Sequence, residues 1–229
     1  MSSDNRKNMQ KRLLILDFDG TIADTRATIL RTFRMTIEEL SLAPRTDEEC
    51  GSTIGLPLVE GFQKLYPEIT PEQSELYTST YRRIFRENKR NLSPDMFPNV
   101  LQTIKSVHEQ GITISIASSR SRRPLLEFVD SFGLHEMIPY VLGLEDCTNH
   151  KPDPEPVLKT LRVLNFSAEE TLVVGDMPYD ILMGKRANVQ TCGVSYGNAS
   201  AEELRATGAD YIIDGFEELL PLLGLPPLQ

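Results

Sequence analysis

Short apolar runs alternate with longer amphipathic stretches along most of the chain. Such runs are typical of strands buried on both faces of a parallel sheet, and helical periodicity between them predicts crossover helices. The pattern therefore predicts an α/β fold, a parallel sheet between two helical layers. The expected strands are Leu13–Leu16, Ile112–Ala117, Tyr140–Leu142, Thr171–Val174, Thr191–Val194 and Tyr211–Ile213.

Helices are expected between most of these strands. Proline near a helix start and glycine just past its end are the usual punctuation, and Pro98 and Gly111 show it here. The expected helices run from Pro98 to His108, from Ser121 or Arg122 to near Gly133, from Pro154 to about Leu164, and over Tyr179–Ala187, Ala201–Ala206 and Phe216–Leu222.

One region interrupts the alternation of strand and helix. From about Thr25 to Asp95 the sequence has no convincing strand, and helical patterns cover Ala27–Leu40, Leu58–Leu65 and Pro71–Lys89. We expect residues 25–95 to form an all-helical cap inserted into a core made of residues 13–24 and 96–229, after a disordered tail of residues 1–12. An insert placed directly after the first strand can act as a lid.

Composition narrows the class of protein. The chain has 229 residues and a formal net charge of -9, which argues against a nucleic-acid binder, because such proteins need a clustered basic surface. Cys50, Cys147 and Cys192 show neither metal-ligand spacing nor a disulfide framework, so we expect a reducing, cytoplasmic setting. No apolar run is long enough to span a membrane, so no membrane partner is expected. The sequence leaves a monomer and a small homo-oligomer both open.

Polar side chains follow several of the predicted strands. Asp17 and Asp19 come directly after the first strand, and Ser118, Ser119 and Arg120 follow the second. Lys151 lies just before a predicted helix, and Asp176 and Asp180 follow the strand Thr171–Val174. Chemistry in open α/β sheets occurs beyond the carboxyl ends of the strands, so we expect these groups to lie together.

Each of these residue types can perform a function that phosphoryl transfer requires. Asp17 can attack phosphorus, and Asp19 can protonate the leaving oxygen and then activate water. Ser118 and Lys151 can hold and neutralise the phosphate, whose oxygens carry the developing charge. Asp17 and Asp176 offer the hard oxygen ligands that Mg²⁺ prefers.

Other motifs that begin similarly do not fit. A calcium loop counted from Asp17 would need Gly and Glu where Ile22 and Thr28 stand. The sequence contains no nucleotide P-loop, no dinucleotide-binding glycine motif and no nucleophile elbow. His108, His135 and His150 lack zinc spacing.

From Leu13 to Leu222 these motifs, in this order, resemble the haloacid dehalogenase superfamily, whose core is a Rossmann-like parallel sheet. The position of the insert is similar to that in the phosphoglycolate phosphatase and β-phosphoglucomutase branch. The resemblance implies a phosphoric monoester hydrolase that needs Mg²⁺ and forms an aspartyl phosphate. It implies these roles: Asp17 as nucleophile, Asp19 as general acid and base and a metal ligand through its carbonyl, Ser118 and Lys151 as phosphate ligands, Asp176 as metal ligand, and Asp180 as a support or member of the metal site.

Substrate choice is expected to depend on the cap. The loop Thr53–Leu58 resembles the glycine-containing cap loop of phosphoglycolate phosphatases, and it lacks the arginine that β-phosphoglucomutases carry there. We expect Thr53, Gly55 and Leu56 to contact the substrate together with Ser118, Ser119 and Arg120. The basic run from Arg82 to Arg90 is interpreted as a solvated helix face.

The sequence thus predicts a phosphatase of small phosphorylated metabolites, most like phosphoglycolate phosphatase. Asp19 argues against a true dehalogenase, whose pattern lacks this second acid. Three alternatives stay open at this point: an inorganic pyrophosphatase or nucleotidase using the same site, a phosphomutase, and a non-catalytic binding protein.

Overall fold

The computed structural model describes residues 11–88 and 94–228. Its main sheet has six parallel strands in the order β5-β4-β1-β6-β7-β8. In chain order the strands are β1 (Leu13–Leu16), β2 (Ala23–Asp24), β3 (Asp95–Met96), β4 (Thr113–Ala117), β5 (Tyr140–Leu142), β6 (Thr171–Gly175), β7 (Gln190–Val194) and β8 (Tyr211–Ile213). All six strands expected for the sheet are present, within a residue at either end.

The helices in chain order are α1 (Arg26–Glu39), α2 (Asp47–Gly51), α3 (Leu58–Leu65), α4 (Pro71–Asn88), α5 (Val100–Glu109), α6 (Arg122–Ser131), α7 (Glu155–Leu164), α8 (Pro178–Arg186), α9 (Ala201–Ala206) and α10 (Leu219–Leu222). α5 begins two residues later than expected, because Asn99 before it takes a left-handed conformation with φ 61°. The stretch Phe216–Leu222 divides into a 3₁₀ turn over Phe216–Glu218 followed by α10. Lys89, the predicted end of the helix that begins at Pro71, lies outside the described residues.

Successive residues of β1 face opposite sides of the sheet. Leu14 and Leu16 join the buried cluster that contains Ile104 of α5, whereas Leu13 and Ile15 pack in a second cluster with Val157 of α7. Helices therefore cover both faces, as a strand that is apolar at every position requires. The predicted three-layer α/β class is confirmed.

The insert contains features that the hydrophobic pattern did not reveal. α2 was not predicted; it is short and begins with a capping box in which Thr46 and Glu49 bond each other's backbone N–H groups. β2 and β3 were not predicted either; they lie at the two ends of the insert, where they form an antiparallel pair that joins Ala23 to Met96 and Asp24 to Asp95. Between residues 25 and 94 the described part of the chain contains no strand, as expected. Strands of two residues are too short to show a period. This pair brings the two ends of the insert together.

The last two residues of the expected N-terminal tail, Lys11 and Arg12, are ordered against the core. Lys11 is buried and its ammonium donates to the carbonyl of Glu169 at 2.5 Å, and the backbone N–H of Arg12 donates to Glu170 at 2.8 Å. Both residues were assigned to a disordered tail, and these contacts correct that assignment. The rest of the predicted tail, residues 1–10, lies outside the described residues.

The insert packs around its own aromatic cluster. Phe33 of α1 contacts Phe62 of α3 and Tyr81 of α4, with ring centroids 5.2 and 4.9 Å apart. The cluster continues to the sheet layer through Phe85 of α4, whose ring lies 6.5 Å from that of Phe128 on α6. None of the described helices has the length and apolar composition needed to cross a membrane.

Candidate active site

The strand order places three polar side chains side by side. β1 lies between β4 and β6, with Leu16 level with Ile116 on one side and Val174 on the other. Asp17 leaves the sheet directly after β1, Ser118 directly after β4, and Asp176 directly after β6. The predicted meeting of these groups at the carboxyl edge is therefore observed.

Three buried carboxylates and one ammonium form the centre of this edge. Oxygen atoms of Asp17, Asp176 and Asp180 lie within 4.8 Å of one another, and all three side chains are buried. Lys151 donates to Asp17 and also to Oδ1 of Asp180, at 2.7 Å for the latter. If all four groups are charged, the cluster keeps two negative charges without a counter-charge.

Burial and mutual repulsion shift the ionisation of the cluster. Burial raises the pKa of Asp17 to about 7, although the neighbouring Lys151 pulls it down. Burial and the charges of Asp17 and Asp180 raise the pKa of Asp176 well above its usual value. Burial would lower the pKa of Lys151, but the two aspartates beside it outweigh burial and raise it, so the lysine stays charged.

The donor atoms around Asp176 fit a bound cation. Its Oδ2 accepts from the backbone N–H and the side-chain amide of Asn198, both at 2.7 Å. Its Oδ1 is buried and has no hydrogen-bond partner in the described part of the chain. A Cβ on Gly20 would come within 2.1 Å of Oδ2, so only glycine leaves room there. An orphaned carboxylate oxygen beside two further acids, with an excess of negative charge, suits a divalent ion with oxygen ligands.

Asp180 is tied to the protein through both carboxylate oxygens. Oδ1 accepts from Lys151, and Oδ2 accepts from the backbone N–H of Met177 at 3.0 Å, which caps α8. A Cβ on Gly175 would lie 2.3 Å from the Cβ of Asp180, so the close approach depends on glycine. Two roles were expected for Asp180, support of the metal site and metal ligation. These contacts match the supporting role more directly.

Asp19 and Arg120 form a bidentate pair beside the cluster. The Nε of Arg120 donates to Oδ2 of Asp19 at 3.0 Å, and a second guanidinium nitrogen donates to Oδ1. The guanidinium also lies 5.3 Å from the ring centroids of Phe85 and Phe128. Arg120 was expected to contact substrate, and in this arrangement its fork is already occupied by Asp19.

The two serines after β4 have different environments. The Oγ of Ser118 accepts from the backbone N–H of Arg120 at 3.1 Å, which leaves its hydroxyl hydrogen available. The Oγ of Ser119 donates to the carbonyl of Gly55 at 2.7 Å, and so links the sheet edge to the loop of the insert. Thr53 and Leu56 of the same loop line the cavity described next.

A cavity of about 590 Å³ lies between the insert and the carboxyl edge of the sheet. The predicted site residues that line it are Asp17, Asp19, Thr53, Gly55, Leu56, Ser118, Ser119 and Arg120. Lys151, Asp176 and Asp180 are not among its lining residues and lie behind Asp17. The predicted residues therefore lie together in two groups. One group lines the cavity, and the other lies behind Asp17.

Sequence reasoning missed three residues of this region. Asn198 lies four residues beyond the end of β7, so it does not directly follow a strand as Asp176 does. Arg82 and Arg86 line the cavity, although the basic run was interpreted as a solvated face. Each of these arginines directly follows an aromatic residue, and the two aromatic residues are buried and one helical turn apart. This position beside a buried helix face was the signal available in the sequence. Arg83, between them, pairs with Glu39 and Glu87 as a surface residue does.

Comparison with known proteins identifies the family of the chain. The family model of haloacid dehalogenase-like hydrolases matches residues 14–194. The chain belongs to this family. The matched residues include Asp17, Ser118 and Asp176, which directly follow β1, β4 and β6, so the family match covers the same edge of the sheet.

Individual haloacid dehalogenase-like relatives cover nearly the whole chain. Pyrophosphatase PpaX of Halalkalibacterium halodurans is 31% identical over 217 residues, 95% of this chain and 99% of that protein. Probable phosphatase IndB of Dickeya dadantii is 31% identical over 212 residues, 92% of each chain. The crystal structure of a haloacid dehalogenase-like hydrolase from Bacteroides fragilis superposes with a TM-score of 0.87 at 31% identity, covering 92% of this chain and all of that one. The family, fold class and enzyme class expected from the sequence are thereby confirmed.

Proposed function

We propose that this hydrolase is a Mg²⁺-dependent phosphatase of small phosphorylated metabolites that works through an aspartyl phosphate. The observation that carries the proposal is the position of Asp17. Asp17 lines the cavity together with Asp19 and accepts a hydrogen bond from Lys151. It belongs to the same acidic cluster as Asp176, one of whose oxygens has no hydrogen-bond partner among the described residues.

In the first step a carboxylate oxygen of Asp17 attacks phosphorus. The new bond is between that oxygen and phosphorus, and the bond that breaks joins phosphorus to the leaving oxygen. Asp19 gives this oxygen its proton, which an alkoxide needs because it is a poor leaving group. Ser118 donates its hydroxyl hydrogen to a phosphate oxygen, while Lys151 holds Asp17 in place.

In the second step water hydrolyses the aspartyl phosphate. Asp19, now ionised, accepts a proton from the water, and the water oxygen forms a bond to phosphorus. The phosphorus–oxygen bond to Asp17 breaks, which restores the carboxylate and releases inorganic phosphate. Arg120 orients Asp19 in the ionised state that the second step uses, because its fork then holds both carboxylate oxygens. In the first step one oxygen of Asp19 carries the proton, and Arg120 holds the other.

The residues that would hold Mg²⁺ are Asp17 and Asp176, with the backbone carbonyl of Asp19 as a third oxygen ligand. When bound, the ion neutralises the excess charge of the cluster and polarises the phosphate oxygens. We infer that Asp180 supports the site through Lys151. We infer also that residues 25–95 act as a cap, since the β2–β3 pair gives the insert a narrow attachment and the cavity lies beneath it.

Inorganic pyrophosphate is the second candidate substrate. Its support is the name of a relative, PpaX, which is 31% identical over nearly the whole length of both chains. The missing loop arginine still argues against a phosphomutase. The complete set of Asp17, Asp19, Ser118 and Lys151 argues against a non-catalytic binding protein.

The test is phosphate release with Mg²⁺ from phosphoglycolate, pyrophosphate, glucose 1-phosphate and nucleoside monophosphates. Asp17→Asn should reduce turnover at least ~10³-fold, because the amide cannot form the phosphoenzyme. Asp95→Asn, which neutralises an exposed aspartate outside the site, should stay near the wild-type rate. A folded and active Asp17→Asn protein would contradict the assignment of the nucleophile.

A further inference from the structure

The walls of the cavity above Asp17 and Asp19 are largely hydrophobic. Ile29 and Phe33 of α1, Ile54 and Leu56 of the insert loop, and Phe85 of α4 all line it. Ile29, Phe33, Ile54 and Phe85 are buried. A cavity of about 590 Å³ is within the range of sites that enclose an organic molecule. Pyrophosphate contains no carbon and phosphoglycolate a single methylene group, so neither would gain from such walls.

Two arginines on α4 add positive charge to the same cavity. Arg82 and Arg86 are one helical turn apart and therefore on one face of α4, and both line the cavity. Arg82 is half-buried and Arg86 is exposed, and neither makes an ion pair with a described residue. The other charged lining residues already have ion-pair or hydrogen-bond partners; they are Asp17, Asp19, Arg120, Arg123, Glu127 and Glu145.

The hydrophobic walls and the two arginines of α4 together indicate a ligand with three parts. Its phosphate lies on Asp17 and Ser118, its apolar body lies against the hydrophobic walls, and a second anionic group reaches α4. Arginine is suited to this last contact, because its planar fork binds a carboxylate or a phosphate in bidentate fashion. The insert would therefore bind the second anionic group, whereas the sheet edge binds the reacting phosphate.

We propose that the substrate class is an organic phosphate monoester with an apolar body and a second anionic group, which Arg82 and Arg86 bind. The inference rests on the proposed phosphatase function and adds to it the nature of the leaving group. It ranks such esters above pyrophosphate and above short phosphorylated acids.

The test compares matched esters in the presence of Mg²⁺. Benzyl phosphate supplies the apolar body alone, and 4-carboxybenzyl phosphate adds a distant carboxylate. The expected order of kcat/KM is 4-carboxybenzyl phosphate, then benzyl phosphate, then phosphoglycolate and pyrophosphate. Arg82→Gln and Arg86→Gln should each lower kcat/KM for the carboxylated ester about tenfold, mainly through KM, and change benzyl phosphate little.

Arg83→Gln is the matched control, because Arg83 is the neighbouring arginine that pairs with Glu39 and Glu87 on the surface. It should leave the preference for the carboxylated ester unchanged. Calorimetric binding of 4-carboxybenzylphosphonate and benzylphosphonate gives a readout that does not require turnover. The same arginine variants should weaken only the carboxylated phosphonate.

Different failures point to different conclusions. If pyrophosphate has the highest kcat/KM, or if the arginine variants affect both benzyl compounds equally, the substrate class is wrong and the phosphatase function stands. If folded protein with Mg²⁺ releases phosphate from none of these compounds, the proposed function is wrong. The phosphonate binding data then decide the role of Arg82 and Arg86 independently.

Discussion

Asp176 has one carboxylate oxygen that is buried without a hydrogen-bond partner among the described residues, which is costly unless something else occupies it. We predict that Mg²⁺ raises the melting temperature of the wild-type protein. At a concentration of about 100 times Kd the gain is about 2.7 kcal/mol, several degrees for a chain of this size. In Asp176→Asn the gain should be absent, because the amide removes a charged ligand. Differential scanning calorimetry with EDTA or Mg²⁺ measures both values.

The control for this prediction is Asp95→Asn, in which an exposed carboxylate outside the cluster is neutralised. Its melting temperature should respond to Mg²⁺ as the wild type does. A full response in the Asp176→Asn protein would mean that the ion binds elsewhere. The EDTA-treated variant should itself be at least as stable as the EDTA-treated wild type, because one of three mutually repelling buried carboxylates is gone.

Individual site residues were predictable to different degrees. Asp17, Ser118 and Asp176 each stand directly after an apolar run, so the general position of catalytic groups in α/β sheets finds them. Asn198 lies four residues beyond the end of β7, and an isolated polar residue in a loop carries no such signal. The pairing of Arg120 with Asp19 joins residues 101 positions apart, and no local pattern predicts a tertiary contact of this kind.

At the level of elements, the strands and helices of the sheet layers were predicted closely, because short apolar runs alternate there with amphipathic stretches. The insert was predicted less well. α2 has five residues and depends on a capping box, and β2 and β3 have two residues each and exist only as a pair. Their stability comes from each other and from the packing around them, which a window of sequence does not contain.

The loop between α2 and α3 is fastened to the sheet through Ser119. Its hydroxyl donates to the carbonyl of Gly55 at 2.7 Å, and both residues line the cavity. We predict that Ser119→Ala lowers kcat/KM about three- to tenfold, since a typical hydrogen bond contributes about 1 kcal/mol. The melting temperature should change by no more than about 4 °C. Steady-state kinetics and thermal unfolding of the same preparations measure both effects.

Ser131→Ala is a suitable comparison, because the hydroxyl of Ser131 donates to the carbonyl of Phe128 within α6 and has no hydrogen bond to another element of the described structure. It should leave kcat/KM unchanged. If Ser119→Ala were as inactive as Asp17→Asn, Ser119 would be a direct participant in the reaction. If its kinetics matched those of the wild type, the link between the loop and the sheet would have no part in closing the site.

At the scale of the whole molecule, the insert and the sheet share one buried core. The aromatic cluster of Phe33, Phe62, Tyr77 and Tyr81 belongs to the same continuous set of buried side chains as β1 and α5. Phe85 carries this core from α4 to Phe128 on α6, and Arg120 lies against both rings. The proposed transfer of the phosphoryl group to Asp17, which has to exclude water, would thus take place where two parts of one core meet above Asp17 and Asp19.

This shared core has a consequence for unfolding. Phe62 is fully buried in the insert, and its ring centroid lies 5.2 Å from that of Phe33 and 5.7 Å from that of Tyr77. We predict that Phe62→Ala destabilises the protein by about 3–5 kcal/mol, because a large cavity replaces the ring. Since the core is continuous, the loss should shift a single transition, with helical circular dichroism and phosphatase activity disappearing together.

Leu76→Ala provides the matched control within the same insert, because Leu76 is 52% exposed on α4 and its truncation should change the free energy of unfolding by no more than about 0.5 kcal/mol. Two separate transitions in Phe62→Ala, with activity lost in the first and most of the secondary structure in the second, would show that the insert unfolds by itself. In that case the contacts of Phe85 and Arg120 would be a closed position of a separable lid, and closure would depend on ligand binding more than on the shared core.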